Sequence, residues 1–278
     1  MSVLLAIFLQ VGISPTPSPV SAVPDELYEQ RQLTRQAKRE AEKQTAIDNP
    51  LTDCITLAET DPEAARTMAS QWLDTAELSR KSWAAQCLGM ALVQQGRWDD
   101  AAAAFINGRD AAMPGAQLYR AQLGAMAGNA ALSAGNASAA LAALDIAQAD
   151  AGQVGNSVLA GEIMLDRARA LVALDRLEDA ATVLGLARQA QPDHAQTWLL
   201  SATLSRRMNL LETAQEQIER AAMLAPMDAE TGVEAGVIAI LSGRPDAARK
   251  SWASVLETAP GTSFAQTAQA YISQVETP

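Results

Sequence analysis

The stretch DRLEDAATVLGLARQAQP (175–192) is followed 34 residues later by NLLETAQEQIERAAMLAP (209–226), and after another 34 by GRPDAARKSWASVLETAP (243–260). Each copy opens on a turn-permissive residue, carries Ala five positions on, and closes on proline. Upstream, GRWDDA (96–101) and GNASAA (135–140) open in the same way. The five alanines are Ala101, Ala140, Ala180, Ala214 and Ala248, spaced by 39, 40, 34 and 34. Four residues after each stands a bulky side chain: Phe105, Leu144, Leu184, Ile218 and Trp252. Three further on the side chain is mostly small, in Gly108, Ala147, Ala187, Ala221 and Val255.

Such a register describes a helical hairpin stacked on copies of itself. Gly, Asn or Asp between two helical segments adopts the left-handed conformation that ends a helix. The alanine lies where two helices cross, since a small side chain lets their axes approach. The bulky residue one turn later fills the groove beside it. Proline ends the second helix, having no N–H to donate and clashing with the preceding turn. Asp193 and Asp228, and Thr262 or Ser263 after Pro260, are placed to cap the helices that follow.

The period and the order of small, large and proline positions resemble the tetratricopeptide repeat. Leu88-Gly89 matches the Leu-Gly pair of that family's first helix, and Gly128, Ala168, Ala202 and Gly236 supply the small residue in the other units. Trp198 holds the aromatic place in one unit only, while Asp175 and Asn209 replace the usual turn glycine. The units run about 82–113, 121–153, 161–192, 195–226 and 229–260, with a degenerate one at 51–80, where DPEAA (61–65) echoes RPDAA (244–248). The two longer spacings place extra residues at Met113-Pro114-Gly115 and Gly152 to Asn156. The resemblance implies an all-α, right-handed superhelical stack of antiparallel helix pairs over 51–278, closed by a capping helix at 262–276.

Composition agrees with helices: only 4% of the 278 residues are aromatic, and Ala, Leu, Gln, Glu and Arg dominate. The net charge of −11 and the lack of a basic stripe argue against nucleic acid as partner. No stretch approaches the roughly 20 apolar residues of a membrane span. Residues 1–22 read as a secretory signal: an apolar run from Val3 to Ile13, a Pro/Ser stretch, and Val20-Ser21-Ala22 before Val23. No Lys or Arg precedes that run, so a cytosolic tail is the alternative to export into a periplasm or medium. Residues 23–50 read as a charged lead-in helix or linker.

Catalytic chemistry finds little support in these residues. The one histidine, His194, falls in a hairpin connection beside Asp193. The pairs Asp99-Asp100 and Glu178-Asp179 fall at helix starts, where negative charge complements the dipole. Two cysteines and one histidine fall short of a four-ligand zinc site. No phosphate loop or dinucleotide fingerprint is present, so neither cofactor nor metal is implied. Trp98, Trp198 and Trp252 read as packing residues, whereas Trp83 falls on the other face of its helix. Cys54 and Cys87, 33 apart, fall in neighbouring first helices, either bridged or as two buried thiols.

The function these readings imply is a non-catalytic scaffold that binds a protein or peptide in the cell envelope. A self-associating structural subunit, or an accessory of an enzyme complex, is the alternative. In the family that the chain resembles, one face of each first helix lines a concave groove. Here that face would carry Glu162, Leu165, Arg169 and Val172, then Gln196, Leu199, Thr203 and Arg206, then Val233, Val237 and Ile240. The family's lysine-bearing carboxylate clamp is missing, so capture of an acidic chain terminus is not implied, and the expected ligand is an extended or helical peptide with apolar anchors and one acidic contact. The alternative is that this stripe packs internally. Export predicts a mature chain starting near Val23. Intact mass and N-terminal sequencing of native protein check this, and a cytosolic chain retaining Met1 or Ser2 overturns it.

Overall fold

In the computed structural model, residues 34–36 and 50–276 are described, and residues 1–22, read above as a signal, and most of the lead-in segment lie outside them. The chain divides into Met1–Pro50 and Leu51–Pro278, and the helices below build the second unit. They are α1 (Pro50–Thr60), α2 (Pro62–Thr75), α3 (Leu78–Gln94), α4 (Trp98–Ala111), α5 (Gln117–Ser133) and α6 (Ala137–Val154). Then come α7 (Ser157–Ala173), α8 (Leu177–Ala190), α9 (Ala195–Arg207), α10 (Leu211–Leu224), α11 (Ala229–Leu241), α12 (Pro245–Thr258) and α13 (Ser263–Glu276). From α2 to α13 each helix packs on the next, and α5, α7, α9, α11 and α13 also touch in series. The result is an α-solenoid of antiparallel helix pairs with a C-terminal capping helix.

Every hairpin turn is built alike. Gly96, Gly135, Asp175, Asn209 and Gly243 have φ of 69, 78, 58, 60 and 73°. The next residue then donates its N–H back five positions, as from Arg97 to Leu92 O and from Leu210 to Ser205 O. This closes the helix end by satisfying a carbonyl that would otherwise lack a partner. Asp175 and Asn209 hold the left-handed conformation at a cost of about 1 kcal/mol each that glycine would not incur.

Within each hairpin the crossing is set by a small residue facing a large one. The pairs are Gly89/Phe105, Gly128/Leu144, Ala168/Leu184, Ala202/Ile218 and Gly236/Trp252, each 16 residues apart. A Cβ on Gly89 would lie 2.5 Å from Phe105 Cε1, and one on Gly128 or Gly236 would run into Leu144 or Trp252. The alanines 12 residues after each small partner, from Ala101 to Ala248, are all 0% exposed. The longer spacings leave the crossings untouched, since the extra residues lengthen helix ends: α6 has 18 residues against 14 in α8, α10 and α12, and α5 and α7 have 17 against 13 in α9 and α11.

Caps follow the sequence with one exception. Asp228 accepts from Thr231 N at 2.8 Å, and Thr262 from Ala265 N at 3.2 Å. Asp193 does not cap α9: the N-cap position is His194, without a side-chain cap bond, and Asp193 pairs with Arg220 on α10 at 2.9 Å. Helices α8, α10 and α12 each end two residues before Pro192, Pro226 and Pro260. Pro62 opens α2 as Pro245 opens α12, which explains the echo between the two segments. At the far end, α13 buries Ala268 beside Trp252, whose ring lies 5.3 Å from that of Tyr271.

The packing makes a direct prediction. Ala214→Leu adds three carbons at a fully buried crossing and should cost about 1–3 kcal/mol by overpacking. Denaturant unfolding checks this, and an unchanged midpoint would remove the crossing role from Ala214.

Candidate functional site

Helices α7 and α9 bring part of the expected stripe to an apolar cavity. Helix α7 is capped by Asn156, whose side chain accepts from Leu159 N at 3.0 Å. Between α7, α8 and α9 lies a cavity of about 80 Å³. Its base is Ala168, Leu184 and Leu204, exposed by no more than 3%. Half-buried Val172, Leu200 and Thr203 form the walls, and exposed Arg169 and Arg207 stand at the rim. The crossing with Leu184 needs a small residue at 168, and the gap beside Ala168 is left unfilled. With almost no polar surface, the cavity offers water few of the two to four partners that it requires.

The sequence stripe meets this cavity in part. Arg169, Val172 and Thr203 line it. Leu165 and Leu199 do not face a ligand: they are 5% and 1% exposed, Leu165 packing with Ala168 and Leu171, and Leu199 with Ala202 and Ile218. Arg206 is also withdrawn, because its Nε donates to Glu234 Oε1 on α11 at 2.7 Å and its Nη2 to Oε2 at 3.3 Å. Glu162 is exposed and Gln196 half-buried, and neither lines the cavity. Val233, Val237 and Ile240 pack in the cluster that α13 closes with Tyr271, Ile272 and Val275. Helix α13 touches α11, and Val233, Val237 and Ile240 stay half-buried.

Leu200 and Arg207 were not legible as groove residues. Each stands one position after its expected counterpart, a rotation of about 100° around the helix. At the rim, Arg169 Nη1 donates to Asp166 Oδ1 at 2.6 Å, so this guanidinium is already held by a carboxylate. Arg207 has no hydrogen-bond or ion-pair partner among the described residues. Its fork of donors is open to an incoming carboxylate.

Other polar groups are internal. His194 Nδ1 lies 2.9 Å from Thr197 Oγ1. Tyr119 donates to Gln86 Oε1 at 2.6 Å, and burial pushes its phenol up to about 12, so it stays a neutral donor. Arg188 lies 5.4 Å over the Trp198 ring and donates to Ser201 Oγ at 2.5 Å, and burial lowers its pKa from the ordinary value. Trp198 Nε1 donates to Pro192 O at 2.8 Å, which fixes the ring over the connection before α9. Trp83 and Trp98 are half-buried, and Trp252 is 2% exposed. Among the described residues no group of three or more His, Cys, Asp and Glu is placed to hold a metal ion, and no helix is long and apolar enough to cross a membrane.

With this geometry in hand, comparison with known proteins bears on the fold. No family model matches the chain, and no curated protein sequence matches it. Among solved structures, PilF of Pseudomonas aeruginosa superposes with a TM-score of 0.59 at 13% identity, over 81% of this chain and 98% of that one. BtubC (BKLC) from P. vanneervenii gives 0.59 at 15% identity, over 76% and 91%. YrrB, described as a TPR protein with an unusual peptide-binding site, gives 0.50 at 14% identity, over 73% and 97%. The chain has a tetratricopeptide-like fold. At these identities the likeness extends to architecture and no further.

Cys54 and Cys87 are joined in a disulfide with Cα atoms 5.9 Å apart, both side chains fully buried among Ala58, Ala65, Ala69 and Ala91. It ties α1 to α3 where the other fully buried residues are alanines, with Leu57, Met68 and Leu88 packed against them. Closing a loop of 33 residues stabilises by about 3–4 kcal/mol in the chain-entropy model. Cys54→Ser with Cys87→Ser should lower stability by about that amount. Non-reducing peptide mapping of native protein should recover the linked peptides, and two free thiols would overturn the bridge.

Proposed function

We propose that this chain is a non-catalytic scaffold that takes a short segment of a protein partner at the α7–α9 cavity. The observation that carries this reading is an apolar cavity of about 80 Å³ beside an arginine, Arg207, with no partner among the described residues. That volume suits one small aliphatic side chain. A carboxylate one or two residues away in the same segment would reach Arg207. The stacked-pair fold supports the reading, and YrrB, which shares it, is described by its peptide-binding site. The same proposal places the chain outside the reducing cytoplasm, in a cell envelope or beyond. A fully buried disulfide and the apolar run from Val3 to Ile13 support that compartment.

Selection of a random peptide library on the purified protein is the test. The expected consensus pairs Val, Ile or Leu with Asp or Glu within two positions. Val172→Glu places a charge against the cavity and should weaken capture of the selected peptide by at least about tenfold. Arg207→Ala should weaken it by about three- to tenfold, with the loss shrinking at high salt. Equal capture by a Val172→Glu protein of unchanged helicity would overturn the assignment.

A further inference from the structure

Two places one 34-residue unit apart share a layout but are built from different side chains. In the earlier one, Trp198 of α9 packs against the cluster that holds Ala202 and Ala221. Arg188 of α8 lies 5.4 Å over its ring and donates to Ser201 Oγ, and Trp198 Nε1 donates to Pro192 O. One unit on, the counterparts of Arg188, Trp198 and Ser201 are Ala222, Gly232 and Ala235. All three line a cavity of about 260 Å³ between α10, α11 and α12.

The neighbouring helix has not closed over that place. Gly124 stands four residues before Gly128, as Gly232 does before Gly236. A Cβ at Gly124 would lie 2.9 Å from Ala147 Cβ and 3.4 Å from its Cα, so the backbone of α6 has come in. At Gly232 the side chain of Val255 is near, with Cγ2 at 2.5 Å from a Cβ, but the nearest backbone atom, Ser251 O, is 3.9 Å away.

The polar fittings of the earlier place are present here without their partners. Pro226 O, the counterpart of Pro192 O, accepts from no donor among the described residues. Asp193 and Arg220 pair at 2.9 Å upstream, whereas their counterparts are Met227, 67% exposed, and Ser254 on the cavity lining. The Asp228 carboxylate is taken up by Thr231 N and Oγ1. Lys250, exposed on the lining, has no ion-pair partner among the described residues.

We propose that this cavity receives a tryptophan side chain of a partner protein, with a carboxylate of the same partner on Lys250. The preceding unit shows what the layout accepts: an indole whose N–H needs the proline carbonyl. A methionine beside the mouth suits an aromatic ring, and an unmatched ammonium suits a carboxylate. None of this chain's five tryptophans is exposed, so a second copy does not offer the ring. The proposal does not rest on the α7–α9 cavity, which lies between other helices.

Magnetic resonance of the full chain, titrated with acetyl-Trp-Glu-amide, tests it. Saturable shifts are expected at Gly232, Ala235 and Val255. Acetyl-Ala-Glu-amide should bind at least about tenfold more weakly, the usual result of losing an anchoring indole. Lys250→Ala should weaken the Trp-Glu peptide by about three- to tenfold and leave acetyl-Trp-Gln-amide unchanged. Ala222→Arg, Gly232→Trp, Ala235→Ser and Val255→Ala together copy the upstream stack and should abolish the shifts with helicity kept. The single change Ala235→Leu narrows the cavity floor and should weaken binding by at least about tenfold. No saturable shift up to tens of millimolar overturns the proposal. So does equal binding of the Ala peptide, binding unchanged by Lys250→Ala, or shifts that persist in a folded Ala235→Leu protein.

Discussion

The structure depends on the close approach of two helices at one point in each hairpin. A glycine or alanine on the first helix lets a large side chain 16 residues later lie directly against its backbone. At Gly236 the large partner is Trp252, whose Nε1 reaches Val233 O at 3.1 Å. The ring thereby fills the crossing and satisfies its own donor. Each pair fixes the rotation of both helices, which decides what each presents to the next hairpin. The left-handed turn residue between them, as at Asp175 or Gly243, keeps that distance of 16.

Because the crossings carry the register, variation is tolerated between hairpins. Five and six extra residues enter between the units at Ala101, Ala140 and Ala180, and the pairs on either side are unchanged. Solenoids behave this way since each unit contacts only its neighbours. An insertion between units alters an edge and leaves the core intact.

Several ion pairs are local. Arg97 with Asp100, Arg176 with Asp179, and Arg249 with Asp246 pair over three residues at helix starts. With side chains 38 to 94% exposed, such pairs add little stability. Arg206 with Glu234 is different, since it joins α9 to α11 with side chains only 24 and 12% exposed. Losing either member would leave the other partly desolvated and unpaired, so this bond fixes the spacing of two first helices.

The hairpins were legible because they are short-range objects. Turn, alanine, bulky residue and proline all lie within 18 residues, and any chain with that spacing must fold back on itself at the same places. The left-handed Asp175 and Asn209, the end of α10 before Pro226 and the cap at Asp228 follow from local rules. The groove was legible only in part, since accessibility is set by a neighbour's docking angle. One step along a helix turns a side chain by about 100°. That is enough to send Arg206 to Glu234 and leave Arg207 open, or to bury Leu199 and expose Leu200 to the cavity. Likewise Val233, Val237 and Ile240 read as one more stretch of groove, and in the fold they pack against the same cluster as Tyr271, Ile272 and Val275 of α13. Sequence by itself determined the fold of each pair; the tertiary structure decided which surface remains free, because that depends on contacts between pairs that no local spacing encodes.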